Sequence, residues 1–130
     1  MYLTRVPRLI QRYYSGLTWR KESPDKVLYL TFDDGPTPEV TPWVLDELAR
    51  WDAKATFFWL GKQVKQHPEL AHRILDEKHS AGNHSFSHLN GWRTDSKRYL
   101  RDFLQGQRAI REYTGLSARL FRPPHGRITR

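Results

Sequence analysis

The sequence predicts an α/β fold built from parallel strands, and two observations support this prediction. Short apolar runs rich in β-branched and aromatic residues alternate with longer amphipathic segments, which is the pattern of repeated β–α units. Polar clusters directly follow three of these runs, at Asp33-Asp34, at 84–88 and at Arg122. Parallel strands would bring the clusters to one face, where barrel enzymes carry their chemistry.

The first half of the chain predicts two strands and one helix. The first strand is expected at 27–32, where Gly35-Pro36 follows and ends it. Thr41-Pro42 is a typical helix start. The second strand is expected at 55–60, ending at Gly61. The predicted buried stripe of the intervening helix consists of Val44, Leu45, Leu48 and Trp51.

The second half predicts two further helices and two further strands. A helix is expected at 68–77, a short third strand at 80–83, a basic amphipathic helix at 96–114 and a fourth strand at 118–121. Gly115 is the expected C-cap of the basic helix. The inward residues are predicted to be Leu70, Ala71, Ile74 and Leu75 in the first helix, and Leu100, Phe103, Leu104, Ile110 and Tyr113 in the second. Four strands are about half of a barrel, so open edges are expected, and these favour pairing with another copy or with a missing C-terminal piece.

Composition limits the possible classes of protein. A chain of 130 residues with 38% hydrophobic content is expected to form a single domain. The absence of cysteine excludes disulfides and thiolate metal sites, which leaves His and carboxylates as the strong ligands. Arginines interrupt the first ten residues, so no secretory signal is predicted, and no apolar run is long enough to span a membrane. The expected location is cytoplasmic by default.

The net charge of +8 raises the question of an acidic partner such as nucleic acid, anionic lipid or an acidic wall polymer. In the segment 96–114 the cations alternate with apolar residues, as in a solvated amphipathic helix. Because no nucleic-acid-binding signature accompanies the charge, a nucleic-acid partner is not expected.

The paired aspartates predict metal-assisted hydrolysis. Successive residues of a strand point to opposite sides, so one of Asp33 and Asp34 can bind a metal while the other stays available as a base. With His84 and His88, one carboxylate makes a three-ligand site that leaves a position for water.

Three ordered motifs resemble those of the polysaccharide deacetylase family, the carbohydrate esterases of family 4 with a NodB-like domain. They are Thr31-Phe32-Asp33-Asp34-Gly35-Pro36, His84-Ser85-Phe86-Ser87-His88 and Arg122-Pro123-Pro124-His125-Gly126. The resemblance implies a partial distorted (β/α) barrel over residues 26–130, preceded by an N-terminal extension at 1–25. The family's fourth motif, and the fifth with its general-acid His, are not among these residues, so a domain truncated at its C-terminal end is expected.

The resemblance also implies roles for individual residues. Asp34, His84 and His88 would bind a divalent metal, with zinc favoured by this ligand set. Asp33 would be the general base, and Arg122 would pair with it and orient it. The family usually has Tyr or Phe at the position of His125, whose backbone amide would bind the developing oxyanion. Its imidazole is an alternative to the absent general acid.

Alternatives remain open for each of these residues. The histidine pair could lie on the surface of a helix or hold ferrous iron in an oxygenase, Asp33 could be a turn residue, and Arg122 could be a surface cation. The other histidines, His67, His72 and His79, are predicted to be solvated or capping residues. Trp92 could stack on a sugar ring or simply pack in a core or loop.

The predicted function is a metal-dependent hydrolase that removes N-acetyl groups from N-acetylglucosamine-containing polysaccharide, either chitin-like or peptidoglycan. One alternative is a catalytically impaired fragment or pseudoenzyme that retains metal or glycan binding. Another is a basic module whose binding to an anionic surface falls steeply with salt.

Overall fold

A three-stranded parallel sheet lies at the centre of the computed structural model, which describes residues 6–127. The strands are β1 (Leu30–Asp33), β2 (Ala55–Trp59) and β3 (Ser80–Asn83), in the order β1-β2-β3. Beyond β3, Phe121 forms a single parallel bridge to Asn83. The predicted α/β fold with parallel strands is therefore confirmed, whereas the predicted fourth strand at 118–121 is reduced to this bridge.

Five α-helices accompany the sheet in the described part of the chain. They are α1 (Arg8–Tyr13), α2 (Thr41–Arg50), α3 (Gly61–Gln66), α4 (Pro68–Asp76) and α5 (Ser96–Thr114). Short 3₁₀ turns lie at Gly91–Arg93 and Pro124–Gly126. As predicted, α5 ends at Gly115, which adopts the left-handed conformation with φ of 72°. Within residues 6–127, every helix is too short or too polar to cross a bilayer.

The core lies on one face of the sheet. Alternate residues of β2, namely Ala55, Phe57 and Trp59, pack in one cluster with apolar side chains from the helices. The helical members of this cluster are Val44, Leu45, Leu48, Val64, Ala71, Ile74 and Ile110. Because the core side chains of β2 alternate with those on its other face, Phe58 faces the opposite side, where the ring contacts Arg122.

Helix α3 was not predicted from the sequence. Its six residues are too few to show a clear helical period, and tertiary packing stabilises it instead. Val64 is fully buried in the core, and a Cβ added to Gly61 would lie 2.8 Å from the Cα of Gly106 in α5. The glycine therefore allows the two helices to approach closely.

Several predicted positions were wrong. The first strand begins at Leu30 rather than at residue 27, because its pairing with β2 begins at Leu30 and Ala55. Trp51 is 78% exposed, since α2 ends at Arg50 before this residue can turn inward. In α5, Leu100 and Leu104 are exposed, whereas Ile110 is buried as predicted, together with Tyr99, Asp102, Gly106 and Ala109.

The N-terminal segment contributes little to this architecture. Every residue of α1 is at least partly exposed, and 27–29 are exposed as well. The predicted extension at 1–25 and the domain at 26–130 include 1–5 and 128–130, which lie outside the described residues. The boundary between them remains a prediction.

Candidate metal centre

Asp34, His84 and His88 converge in the structure. One ligand atom from each lies within 4.8 Å of the other two. The Nε2 atoms of His84 and His88 are 3.6 and 3.3 Å from Oδ1 of Asp34. Ligand atoms at tetrahedral corners around a zinc ion are about 3.3 Å apart, given bonds of about 2.0–2.1 Å. The spacing therefore fits a small divalent cation.

The ends of two strands bring these ligands together. Asp34 directly follows β1, and His84 directly follows β3. The segment 84–88 is a loop rather than a helix, so the alternative of two histidines on a helix surface is wrong. Asp34, Ser85 and His88 have φ values of 71°, 72° and 62°, which turn the chain sharply enough for the ligands to face each other.

His84 is buried and has a defined orientation. Its Nδ1 lies 2.6 Å from the carbonyl oxygen of Arg122. Because a carbonyl can only accept a hydrogen bond, Nδ1 carries a proton, and Nε2 is the ring nitrogen that faces Asp34. A metal-binding histidine is commonly fixed in this way by a carbonyl on its second nitrogen. The residues present thus fit a divalent metal in orientation as well as in spacing.

The ion pair expected between Arg122 and Asp33 is present. Nη1 of Arg122 lies 2.7 Å from Oδ1 of Asp33 and donates a further hydrogen bond to Thr31. The guanidinium also lies over the ring of Phe58, 4.1 Å from its centroid. Arg122 therefore supports the site in two ways, since its carbonyl orients His84 and its side chain holds Asp33.

The third motif contacts the candidate metal ligands through His125. Its ring is exposed and makes an edge contact with His88, with 4.6 Å between the centroids. The hydroxyl of Tyr99 donates to the carbonyl of Arg127, which fastens this loop to α5. Burial, and to a lesser degree the charge of Asp102, raises the pKa of Tyr99, so its hydroxyl stays protonated as a donor.

Sequence reasoning missed the support that α5 gives to the histidine loop. Both carboxylate oxygens of Asp102 accept hydrogen bonds from this loop, at Phe86 and Ser87. Asn83 accepts from the amide of Ser85 and donates to the carbonyl of Phe103. The sequence did contain a signal, because Asp102 is three residues after Tyr99 and four before Gly106. This spacing places an acidic residue on the helix face that is expected to be apolar.

The remaining singled-out residues lie away from the ligand triad. Trp92 is 70% exposed, which excludes core packing, and the guanidinium of Arg127 lies 4.8 Å from its ring centroid. His79 is buried, contrary to prediction, because its Nδ1 accepts a hydrogen bond from the amide of Ala55. His72 is exposed, as predicted, whereas His67 is half-buried, with its Nδ1 3.7 Å from the carboxylate of Glu69.

Parallel strands that gather two imidazoles and a carboxylate at their carboxyl ends, beside an Asp–Arg pair, are typical of metal-dependent hydrolases. The chain belongs to the polysaccharide deacetylase family, because the sequence model of that family matches residues 20–130. The resemblance drawn from the three motifs is therefore confirmed.

Relatives and solved structures agree with this assignment. The peptidoglycan-N-acetylglucosamine deacetylase of Bacillus cereus is 38% identical over 112 residues, which are 86% of this chain and 52% of that protein. The structure of peptidoglycan deacetylase PdaC from Bacillus subtilis is 42% identical with a TM-score of 0.78, and the match covers 82% of this chain and 52% of that one. A CE4 family pseudoenzyme from Bacillus anthracis is 32% identical with a TM-score of 0.74, covering 82% and 38%.

This chain therefore spans about half the length of the Bacillus cereus relative and of the PdaC structure. The predicted fold class, part of a distorted (β/α) barrel of the polysaccharide deacetylase type, is confirmed by these structural matches.

Proposed function

We propose that this site removes N-acetyl groups from N-acetylglucosamine-containing polysaccharide, with peptidoglycan as the first candidate and a chitin-like glycan as the second. The convergence of Asp34, His84 and His88 beside the Asp33–Arg122 pair carries the proposal. The similarity to a peptidoglycan-N-acetylglucosamine deacetylase supports the choice of substrate.

The proposed cofactor is a divalent metal, with zinc first, held by Asp34, His84 and His88. Two imidazole nitrogens and one carboxylate oxygen form a ligand set that zinc accepts. Such a cation lowers the pKa of a water molecule and polarises a carbonyl oxygen. With Nδ1 donating to the carbonyl of Arg122, Nε2 is the nitrogen of His84 that would bind the cation.

The chain's other residues would assist the hydrolysis. Asp33 accepts a proton from the water that attacks the acetyl carbon, and Arg122 keeps that carboxylate in place. The backbone amide of His125 donates to the oxyanion as it develops. As the carbon–nitrogen bond breaks, the sugar nitrogen takes up a proton, for which the exposed imidazole of His125 is the candidate donor. The products are acetate and a free amino group.

The first test is the metal content of the purified protein, measured by elemental analysis after mild dialysis, with a His84→Ala variant as control. We expect about one zinc per chain, lost in the variant. Acetate release from peptidoglycan and from chitin oligomers is then measured on the loaded protein. A chain without bound metal, or with metal but without acetate release, would contradict the proposed activity.

The second candidate is a pseudoenzyme that binds metal or glycan without turnover. The similarity to a CE4 family pseudoenzyme from Bacillus anthracis favours keeping this alternative. Bound zinc together with glycan binding, but with no acetate released, would identify it.

We also propose self-association through the open edge of the sheet. β1 pairs with β2 alone among the described strands, which leaves its other edge free. A mainly apolar groove beside this edge is lined by Leu30, Phe32, Trp43, Val44, Leu48, Trp51 and Ala53, together with Glu47. Trp43 is 65% exposed there, and an unpaired strand beside exposed apolar surface favours contact with a second chain.

A further inference from the structure

Asp102 is a buried acidic residue in the middle of α5, and the roles described above do not use it. It is 7% exposed and lies on the helix face that packs against the rest of the molecule. A carboxylate is costly to bury unless hydrogen bonds satisfy its oxygens, so its partners explain its presence.

The partners of Asp102 all lie between the two metal-binding histidines. Oδ2 accepts hydrogen bonds from the backbone amides of Phe86 and Ser87, at 3.1 and 3.2 Å. Oδ1 accepts a hydrogen bond from the hydroxyl of Ser87. One side chain therefore fixes two consecutive peptide units of a loop that has no regular secondary structure.

Other contacts complete the anchoring of this loop. The amides of Gly61 and Lys62 in α3 donate to the carbonyls of Ser85 and Phe86. The hydroxyl of Ser85 accepts from the amide of His88, at 3.1 Å. Asp102 is the charged member of this set, and hydrogen bonds to a charged acceptor are roughly twice as strong as those between neutral groups.

Gly106 brings α5 close enough for these bonds. A Cβ added at Gly106 would lie 2.6 Å from the carbonyl carbon of Ser85 and 2.7 Å from Oδ1 of Asn83. Any larger residue would push the helix away from the loop. One turn earlier on the same helix face, Asp102 then reaches the amides of Phe86 and Ser87.

We propose that Asp102 is a positioning residue of the metal centre. It holds the loop so that His84 and His88 already face Asp34 before a metal binds, which reduces the ordering cost of binding. This inference rests on the proposed metal site, and it assigns to α5 a function in metal affinity that the three sequence motifs do not include.

The test measures zinc affinity by competition with a chromogenic chelator, for wild type, Asp102→Ala and Asp95→Ala. Asp95 is the matched control, because it caps the same helix by accepting from Lys97 and Arg98 but does not contact the loop. Loss of residues that support metal ligands typically weakens binding about 10–100-fold. We therefore expect at least about tenfold weaker binding in Asp102→Ala, and unchanged affinity in Asp95→Ala despite a lower melting temperature.

Asp102→Asn is the conservative variant. Its amide oxygen can still accept from the amides of Phe86 and Ser87, and its amide nitrogen can donate to the Ser87 hydroxyl. We expect its zinc affinity to lie between those of Asp102→Ala and the wild type, because the hydrogen bonds are kept while the charge of the acceptor is lost. If Asp102→Ala does not fold, Ser87→Ala replaces it, with a smaller loss of affinity expected.

The outcomes separate this inference from the proposed function. Wild-type affinity in folded Asp102→Ala, or in the Ser87→Ala replacement, would overturn the role of Asp102 and leave the metal site intact. An equal loss in Asp95→Ala would also overturn it, since the effect would then follow helix stability. A wild-type protein that binds no zinc would overturn the metal site and, with it, this inference.

Discussion

At the scale of single residues, the site is built from backbone conformations that most side chains avoid. Asp34, Ser85, His88 and His125 all have positive φ values, between 57° and 72°. Such conformations cost on the order of 1–3 kcal/mol each and persist only where the surrounding contacts impose them. Around Ser85 and His88 these contacts are hydrogen bonds that the side chains of Asn83, Ser85 and Asp102 accept from the loop backbone.

The neighbouring aspartates are expected to respond differently to the same substitution. Asp33→Asn should lower the rate of acetate release by about 10²–10⁴-fold, the typical contribution of a general base, while zinc stays bound. Asp34→Asn should instead lose zinc, because it removes a charged ligand from the triad. Turnover and metal content are measured on both proteins. Retained turnover in Asp33→Asn would exclude Asp33 as the base.

At the scale of elements, one side of α5 joins the core to the site. Ile110 and Ala109 pack in the interior, while Asp102 and Gly106 meet the histidine loop. The cations Lys97, Arg101, Arg108 and Arg111 on the opposite side are exposed, and so is Arg98 in the first turn. Most of the basic charge of this helix therefore lies on the face opposite Asp102 and Gly106.

His79, which lies between α4 and β3, should make the stability of the fold depend on pH. Burial, together with the nearby charge of Lys54, lowers the pKa of His79 below its ordinary value of 6.5, against a weaker opposing effect of Glu77. The unfolded chain therefore takes up this proton first as the pH falls. The contribution of His79 to the free energy of unfolding is present above about pH 6.5. Below that pH it decreases by up to about 1.4 kcal/mol per pH unit.

Denaturant unfolding of His79→Gln between pH 7.5 and 5 measures this effect. The glutamine oxygen can still accept from the amide of Ala55, so we expect a similar stability at pH 7.5 and a smaller decrease at pH 5. His72→Gln, at an exposed position of α4, should follow the wild type. An identical pH dependence in wild type and His79→Gln would show that another group is responsible.

At the scale of the whole molecule, metal binding should stabilise the fold. The ligands come from chain segments that follow β1 and β3, so the unfolded chain has no preformed site. At a free zinc concentration 100 times the dissociation constant, bound zinc increases the free energy of unfolding by about 2.7 kcal/mol. The melting temperature should fall on addition of EDTA, and should be insensitive to EDTA in His84→Ala. Equal shifts in both proteins would place the stabilising metal elsewhere.

The open edge should make the molecular mass depend on concentration. We expect light scattering to show species larger than a monomer at micromolar concentration. Trp43→Lys should reduce their population, because it places a charge in the apolar groove beside β1. Arg50→Lys, an exposed change that preserves charge on the same helix, is the control. A monomeric mass for the wild type would count against self-association.

The sequence by itself indicated the alternation of strands and helices apart from α1 and α3, the family, and the three motifs that lie at the candidate site. This was possible because hydrophobic period and short motifs are local properties of the chain, as the runs before Asp33 and Arg122 illustrate. Tertiary structure alone decided that residues 27–29 stay outside β1, that Gly61–Gln66 is a helix, and that His79 is buried. It also decided the contact of His84 Nδ1 with the carbonyl of Arg122 and the position of Asp102 beneath the histidine loop. Each of these features depends on a partner distant in the sequence, and periodicity within one segment carries no information about which segment will pack against it.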